Sequence, residues 1–217
     1  MAEAGPLGLL GGTFDPVHYG HLRLAEEARE ALGLAGVSWI PAGRPPHRAA
    51  PRVASAHRLE MVRRAVAGNP AFSVDAAETT SDEPSYTVTT LERLRAGQAA
   101  RPLVVLMGAD AFLGLPTWHR WRELFALAHI GVATRPGFAL SPDDWPAELA
   151  AACADRLGSD AAVLRSAPAG RVVDFSMTPL AISASLLRAQ LAAGASVRYL
   201  LPDPVREYIE VQQLYRN

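Results

Sequence analysis

Apolar and polar positions along the chain follow two periods. Short apolar runs stopped by glycine or proline predict buried strands at residues 7–10, 37–40, 103–107, 129–134 and 172–175, with a weaker one at 72–74. Residues 21–32 instead place Leu22, Ala25, Ala28 and Leu32 at helical spacing, with Glu26, Glu27, Arg29 and Glu30 on the other face and Gly33 able to end the helix. The same reading predicts helices over 55–67, with Leu59, Val62 and Val66 inward, and over 87–95, 183–193 and 203–214. The charged positions between 58 and 64 read as a solvated helix face.

Strands alternating with helices predict an α/β, Rossmann-like fold: a mostly parallel central sheet, helices on both faces, and a small C-terminal helical part. The length of 217 residues suits a single domain spanning 1–217. In such sheets ligands bind beyond the strand carboxyl ends. The glycine turn after Leu10, the corner Gly108-Ala109-Asp110, and Arg135 after Thr134 all fall at such ends and could share a cleft. The net charge of -1 gives no reason to expect nucleic acid or an anionic membrane as partner. Cys153 is the one cysteine, which excludes an internal disulfide and points to a reducing compartment. It lies in the alanine-rich helical run around residue 150 and reads as a packing residue. No leader-like or membrane-spanning apolar stretch stands out, so a soluble, cytoplasmic protein is expected.

The chemistry concentrates in Gly11-Gly12-Thr13-Phe14-Asp15-Pro16-Val17-His18-Tyr19-Gly20-His21. Glycines after a strand let backbone approach a ligand closely, and the helix that follows offers free N–H groups and a positive dipole end. His18 and His21 add imidazoles beside that anion site. The spacing is neither that of a P-loop nor that of a dinucleotide-binding glycine motif. Two histidines three apart can also bind zinc, but Asp15 is the only further ligand nearby. The segment 42–54, with three prolines, three arginines and His47, does not look like core, and the loop from Pro41 to Ala54 is expected to be mobile before substrate arrives.

Gly12 to His21 resembles the G-[ST]-F-D-P-x-H-x-G-H signature of the nucleotidyltransferase superfamily related to class I aminoacyl-tRNA synthetases. Ile182-Ser183-Ala184-Ser185-Leu186-Leu187-Arg188 resembles its second signature, with Ala184 where serine or threonine is usual. From about Leu9 to Tyr215 the chain is similar to the bacterial nicotinate-nucleotide adenylyltransferase family, through Pro45-Pro46-His47-Arg48, Pro84-Ser85-Tyr86-Thr87, Gly108-Ala109-Asp110, Pro116-Thr117-Trp118 and Arg135-Pro136-Gly137.

The resemblance implies adenylyl transfer from ATP to nicotinate mononucleotide in NAD biosynthesis, with Mg2+ carried in by ATP and no dedicated metal site. It implies catalytic roles for His18, His21 and Arg188. ATP contacts are expected from Gly11, Gly12, Thr13, Phe14, His18, His21, Gly108, Asp110, Ile182, Ser183 and Arg188. Mononucleotide contacts are expected from Arg48, Tyr86, Thr87, Trp118 and Arg135. Asp15 is expected to brace the turn, Ser183 to cap its helix, and Asp110 to cap another or bind ribose. Two competing accounts stay open: an adenylyltransferase acting on nicotinamide mononucleotide or another phosphate acceptor, and a non-catalytic nucleotide sensor. A homo-oligomer is compatible with either.

Overall fold

The computed structural model describes residues 5–46, 50–137, 140–158 and 160–216. The six strands are β1 (Leu7–Gly12), β2 (Gly36–Pro41), β3 (Phe72–Val74), β4 (Leu103–Gly108), β5 (His129–Thr134) and β6 (Val172–Ser176). They form one sheet in the order β3-β2-β1-β4-β5-β6, the order of a doubly wound, Rossmann-type fold. β1–β4, β4–β5 and β5–β6 pair in parallel, with Leu9 opposite Val105, Leu106 opposite Gly131, and Ala133 opposite Phe175.

The helices are α1 (Tyr19–Ala31), α2 (Ser55–Val66), α3 (Thr87–Gly97), α4 (Ala109–Leu113), α5 (Leu124–Leu127), α6 (Ala147–Cys153), α7 (Ala184–Ala192) and α8 (Asp203–Val211). Every predicted strand forms. β1 continues through both glycines, and α1 begins two residues before the predicted start. α8 ends at Val211, short of the predicted 214, because Gln213 turns the chain with φ 51° and Leu214 N–H returns to the Ile209 carbonyl.

The chain divides into two compact units: Met1–Leu10, Leu24–Ser38 and Tyr86–Thr178 in one; Gly11–Arg23, Trp39–Ser85 and Pro179–Asn217 in the other. In the first, Leu103 to Met107 of β4 are buried beside Ile130 and Val132 of β5 and Val172 of β6. Ala25 and Ala28 of α1, Val88 and Leu91 of α3, and Phe112 of α4 add their apolar faces to this core. A β-carbon at Gly8 would meet Leu34 and Leu106 side chains at 2.8 and 3.1 Å, and one at Gly131 would meet Leu32 and Leu106 at 2.8 and 3.0 Å. Both glycines are therefore sites of close packing.

Two polar residues of this unit serve structure. His129 is fully buried, accepts Arg171 N–H at Nδ1 (3.0 Å) and donates from Nε2 to the Ala167 carbonyl (2.8 Å). Burial holds its pKa down. Arg95 donates to the carbonyls of Leu127, Arg101 and Pro168 at 2.6, 2.6 and 2.5 Å and so ties loop ends together. Cys153 is fully buried, and burial pushes its thiol pKa up to about 11, as fits an inert packing residue.

In the second unit, fully buried Trp39 packs between Phe14 and Phe72, with ring centroids 5.4 and 5.6 Å away. Leu59, Met61, Val62 and Val66 of α2 are buried, as are Val205 and Ile209 of α8. A bond of 2.9 Å between His57 Nδ1 and the Tyr208 hydroxyl links these two helices. Arg58 departs from the expected solvated face: it is 1% exposed, and its guanidinium donates to the carbonyls of Thr13, Ala42 and Gly43 at 2.8, 2.5 and 2.9 Å. Three inward-facing carbonyls need a cation with several forked donors, which arginine supplies.

Candidate active site

In the second unit β1 ends at Gly12, and the chain reaches α1 through a tight turn. Phe14 takes φ 49°, the left-handed region, and its ring packs over Gly12 so closely that a β-carbon there would meet it at 2.9 Å. The same ring sets its edge against His21, with centroids 5.1 Å apart. His18 and His21 then stack, centroids 3.8 Å apart and planes at 28°. His21 Nδ1 accepts the backbone N–H of His18 at 3.3 Å, so the imidazole proton sits on Nε2, which becomes a donor. His18 is 6% exposed and, among the described residues, its Nδ1 has no hydrogen-bond partner. Burial pushes its pKa down to about 4, so it is neutral at physiological pH.

The second signature meets this turn. A β-carbon on Gly20 would lie 3.7 Å from the Ile182 carbonyl oxygen, which sets the residue before Ser183 against the start of α1. Ser183 caps α7, its Oγ accepting Leu186 N–H at 3.2 Å. Arg188, four residues into α7 from its first residue, donates to the Asp15 carbonyl (2.7 Å) and to Ser185 Oγ (3.1 Å). Asp15 braces the turn as expected: Oδ1 accepts the Tyr215 hydroxyl (2.7 Å) and Oδ2 accepts Arg52 N–H (2.8 Å). Two helix N-termini, two imidazoles and Arg188 thus gather with no acidic residue in the first turn of either helix, an arrangement suited to phosphate. Beside it lies a cavity of about 400 Å³ lined by Arg52, Ser185, Arg188, Ala189, Ala192 and Tyr215.

The sequence reading missed Arg58 and Tyr215 here. Arg58 carried the signal of a charged residue at an inward helical position next to Leu59. Tyr215 carried none, since it lies 200 residues from its partner.

The first unit holds the remaining candidates. Gly108 ends β4 and occupies the cap position of α4. Asp110 is therefore not the cap: it is the second residue of the helix, exposed, with its carboxylate near the positive dipole end. Tyr86 precedes α3 and packs its ring at a tilt of 35° against His119, centroids 4.3 Å apart, while Thr87 opens the helix. Trp118 is half-buried, whereas Trp121 is 5% exposed and packs edge-on to Phe125. Arg120, at φ 51°, fixes this corner through ion pairs of 2.6 Å to Glu92 and to Glu123. Arg135 is exposed beyond β5. Arg48 and His47 lie outside the described residues.

Among the described residues no group of three His, Cys, Asp or Glu side chains could hold a metal ion. Asp15, the nearest carboxylate to the two histidines in sequence, accepts hydrogen bonds from Tyr215 and Arg52. Nor, among the described residues, is any helix long and apolar enough to cross a membrane.

Residues 9–190 match the family described as cytidylyltransferase-like. A protein of Dechloromonas aromatica named "Probable nicotinate-nucleotide adenylyltransferase" is 58% identical over 213 residues, covering 98% of each chain. One of the same name from Aeromonas hydrophila is 51% identical over 97% of each chain. The Plasmodium falciparum nicotinic acid mononucleotide adenylyltransferase complexed with NaAD shares the fold, with a TM-score of 0.71 at 15% identity over 97% of each chain. The chain therefore belongs to the cytidylyltransferase-like family and, within it, to the nicotinate-nucleotide adenylyltransferases.

Proposed function

We propose that the chain joins nicotinate mononucleotide to the adenylyl group of ATP, giving nicotinate adenine dinucleotide and pyrophosphate, a step of NAD biosynthesis. The mononucleotide phosphate is the nucleophile. One of its oxygens forms a bond to the α-phosphorus of ATP, and the bond from that phosphorus to the oxygen bridging to the β-phosphate breaks. Pyrophosphate leaves with the electron pair. The nucleophile is already anionic, so no general base and no covalent enzyme intermediate are needed. Catalysis then consists of aligning two anions and stabilising the charge that grows on the leaving group.

The observation that carries this reading is the stacked His18–His21 pair, 3.8 Å apart, at the start of α1 and next to the capped start of α7. His21, with its proton on Nε2, donates to the phosphoryl oxygens, and neutral His18 packs beneath it. Ser183 keeps its hydroxyl proton available while its oxygen caps α7. Arg188 neutralises polyphosphate. Gly11, Gly12, Thr13, Phe14 and Ile182 supply close backbone. Gly108 and Asp110 are assigned to the ATP ribose, and Arg48, Tyr86, Thr87, Trp118 and Arg135 to the mononucleotide, with Trp118 against the pyridine ring. Mg2+ is assigned to the phosphates of ATP itself, since among the described residues no cluster of ligands is set aside for it. A reaction that consumes ATP and a chain with one unpaired, buried cysteine both fit the cytoplasm.

Pyrophosphate release with ATP and either nicotinate or nicotinamide mononucleotide tests the assignment. The acid is the better substrate, and equal or greater kcat/KM with the amide refutes the carboxylate preference. His21→Ala lowers kcat by about two orders of magnitude or more, with the thermal unfolding midpoint unchanged. Retention of full turnover by that variant refutes the role of the imidazole.

A further inference from the structure

The turn that carries the two imidazoles does not hold its shape alone. Phe14 lies in the left-handed region, which a bulky residue adopts only when its surroundings fix it. Four donors from distant segments do so. Arg58 holds the Thr13 carbonyl at 2.8 Å, and Arg188 holds the Asp15 carbonyl at 2.7 Å. Arg52 N–H and the Tyr215 hydroxyl hold the two carboxylate oxygens of Asp15, at 2.8 and 2.7 Å. The Asp15 side chain is 6% exposed, so these bonds replace water rather than compete with it. From Asp15 the chain runs through Pro16 and fully buried Val17 to His18, a short and tightly packed link.

Tyr215 differs from the other three donors. Arg188 belongs to the second signature, Arg52 uses its backbone, and Arg58 divides its guanidinium among several carbonyls. Among the described residues the Tyr215 hydroxyl makes one bond, to Asp15, from the turn that follows α8. That segment reverses after α8 through Gln213 and Tyr215, both at positive φ, and so brings the phenol back to the turn. Burial and the carboxylate beside it both keep the phenol protonated and hence a donor. Tyr215 also lines the cavity next to Arg188 and Ser185.

We infer that Tyr215 is a positioning residue for adenylyl transfer: its hydroxyl clamps Asp15, fixes the turn that aims His18 and His21, and acts through those imidazoles rather than on substrate. The inference rests on the adenylyltransferase reading above. Tyr215→Phe keeps the ring and removes only the hydroxyl. Its kcat falls about tenfold, while KM for the mononucleotide stays within about twofold, because alignment rather than mononucleotide binding is lost.

In a His21→Ala background the same change alters single-turnover rate by about twofold or less, since the imidazole that donates to the phosphoryl oxygens is gone and His18 has no partner left to support. Unchanged kcat per folded molecule, or equal factors in the two backgrounds, overturns the inference in favour of a purely structural bond. Asp15→Asn weakens the same contact at constant volume and is read in the same cycle, so a poorly folding Tyr215→Phe does not end the test. If the unaltered chain releases no pyrophosphate, the underlying reading fails; if it turns over and Tyr215→Phe matches it, only the positioning role fails.

Discussion

Acidification probes the surroundings of His18 directly. This imidazole is 6% exposed, its Nδ1 has no partner among the described residues, and burial pushes its pKa from 6.5 to about 4. In the unfolded chain it binds a proton near pH 6.5; in the folded chain it refuses one until about pH 4. Between those values the unfolded state holds more protons, so stability rises with pH. The contribution is present in full above 6.5, is lost as pH falls toward 4, and changes no further below that. At about 1.4 kcal/mol per pH unit, the drop from 6.5 to about 4 amounts to roughly 3 kcal/mol.

Carboxylates titrate over part of the same window, so the measurement is a difference. Urea unfolding followed by tryptophan fluorescence, for the unaltered chain and for His18→Asn, is run from about pH 7.5 to about pH 4. The unaltered chain loses about 3 kcal/mol more than the variant over that span. A gap constant to within about 0.5 kcal/mol refutes the buried, unpartnered environment assigned to His18. Saturating ATP, by bringing anionic oxygens near the ring, moves the His18 titration upward in an NMR experiment.

Arg58→Leu leaves the carbonyls of Thr13, Ala42 and Gly43 without their donor and lowers unfolding stability by about 3–5 kcal/mol in the same urea assay. A loss below about 1 kcal/mol means that water or a shifted loop takes over those bonds. Ser183→Ala removes the α7 cap bond to Leu186 and costs about 1 kcal/mol of stability. It also lowers kcat/KM for ATP by roughly tenfold or more if the hydroxyl donates to a phosphate, and leaves it unchanged if the serine only caps.

The strands could be read from sequence because each is a short apolar run closed by glycine, proline or a polar turn; β3 and β5 end where the pattern ends. The amphipathic helices were equally plain. The part of the site around the two histidines and Ser183 is legible because its residues sit on two compact motifs, and local spacing places His18 beside His21 and Ser183 at a helix start. Arg58 was misread because a charged side chain normally signals solvent. The carbonyls that overturn that expectation lie up to 45 residues away, and the local sign of them is the inward helical position next to Leu59. The Tyr215–Asp15 bond is longer-range still. Of the two roles expected for Asp110, ribose contact or helix cap, the cap falls to Gly108 instead, since the helix begins directly where the strand stops. The corner around Trp118 was opaque because it consists of very short helical turns, too brief for any period to show.

The close packing around Leu106 carries a consequence for how this sequence can vary. Gly8 and Gly131 lie on the two strands that flank β4, and the space each leaves is filled by Leu106 together with Leu34 or Leu32 from the chain just beyond α1. The distance of that helix end from the sheet is thus set by two missing methyl groups. Alanine at either glycine obliges the Cδ ends of Leu106 and of Leu34 or Leu32 to turn aside, so among related chains these five positions are expected to vary together.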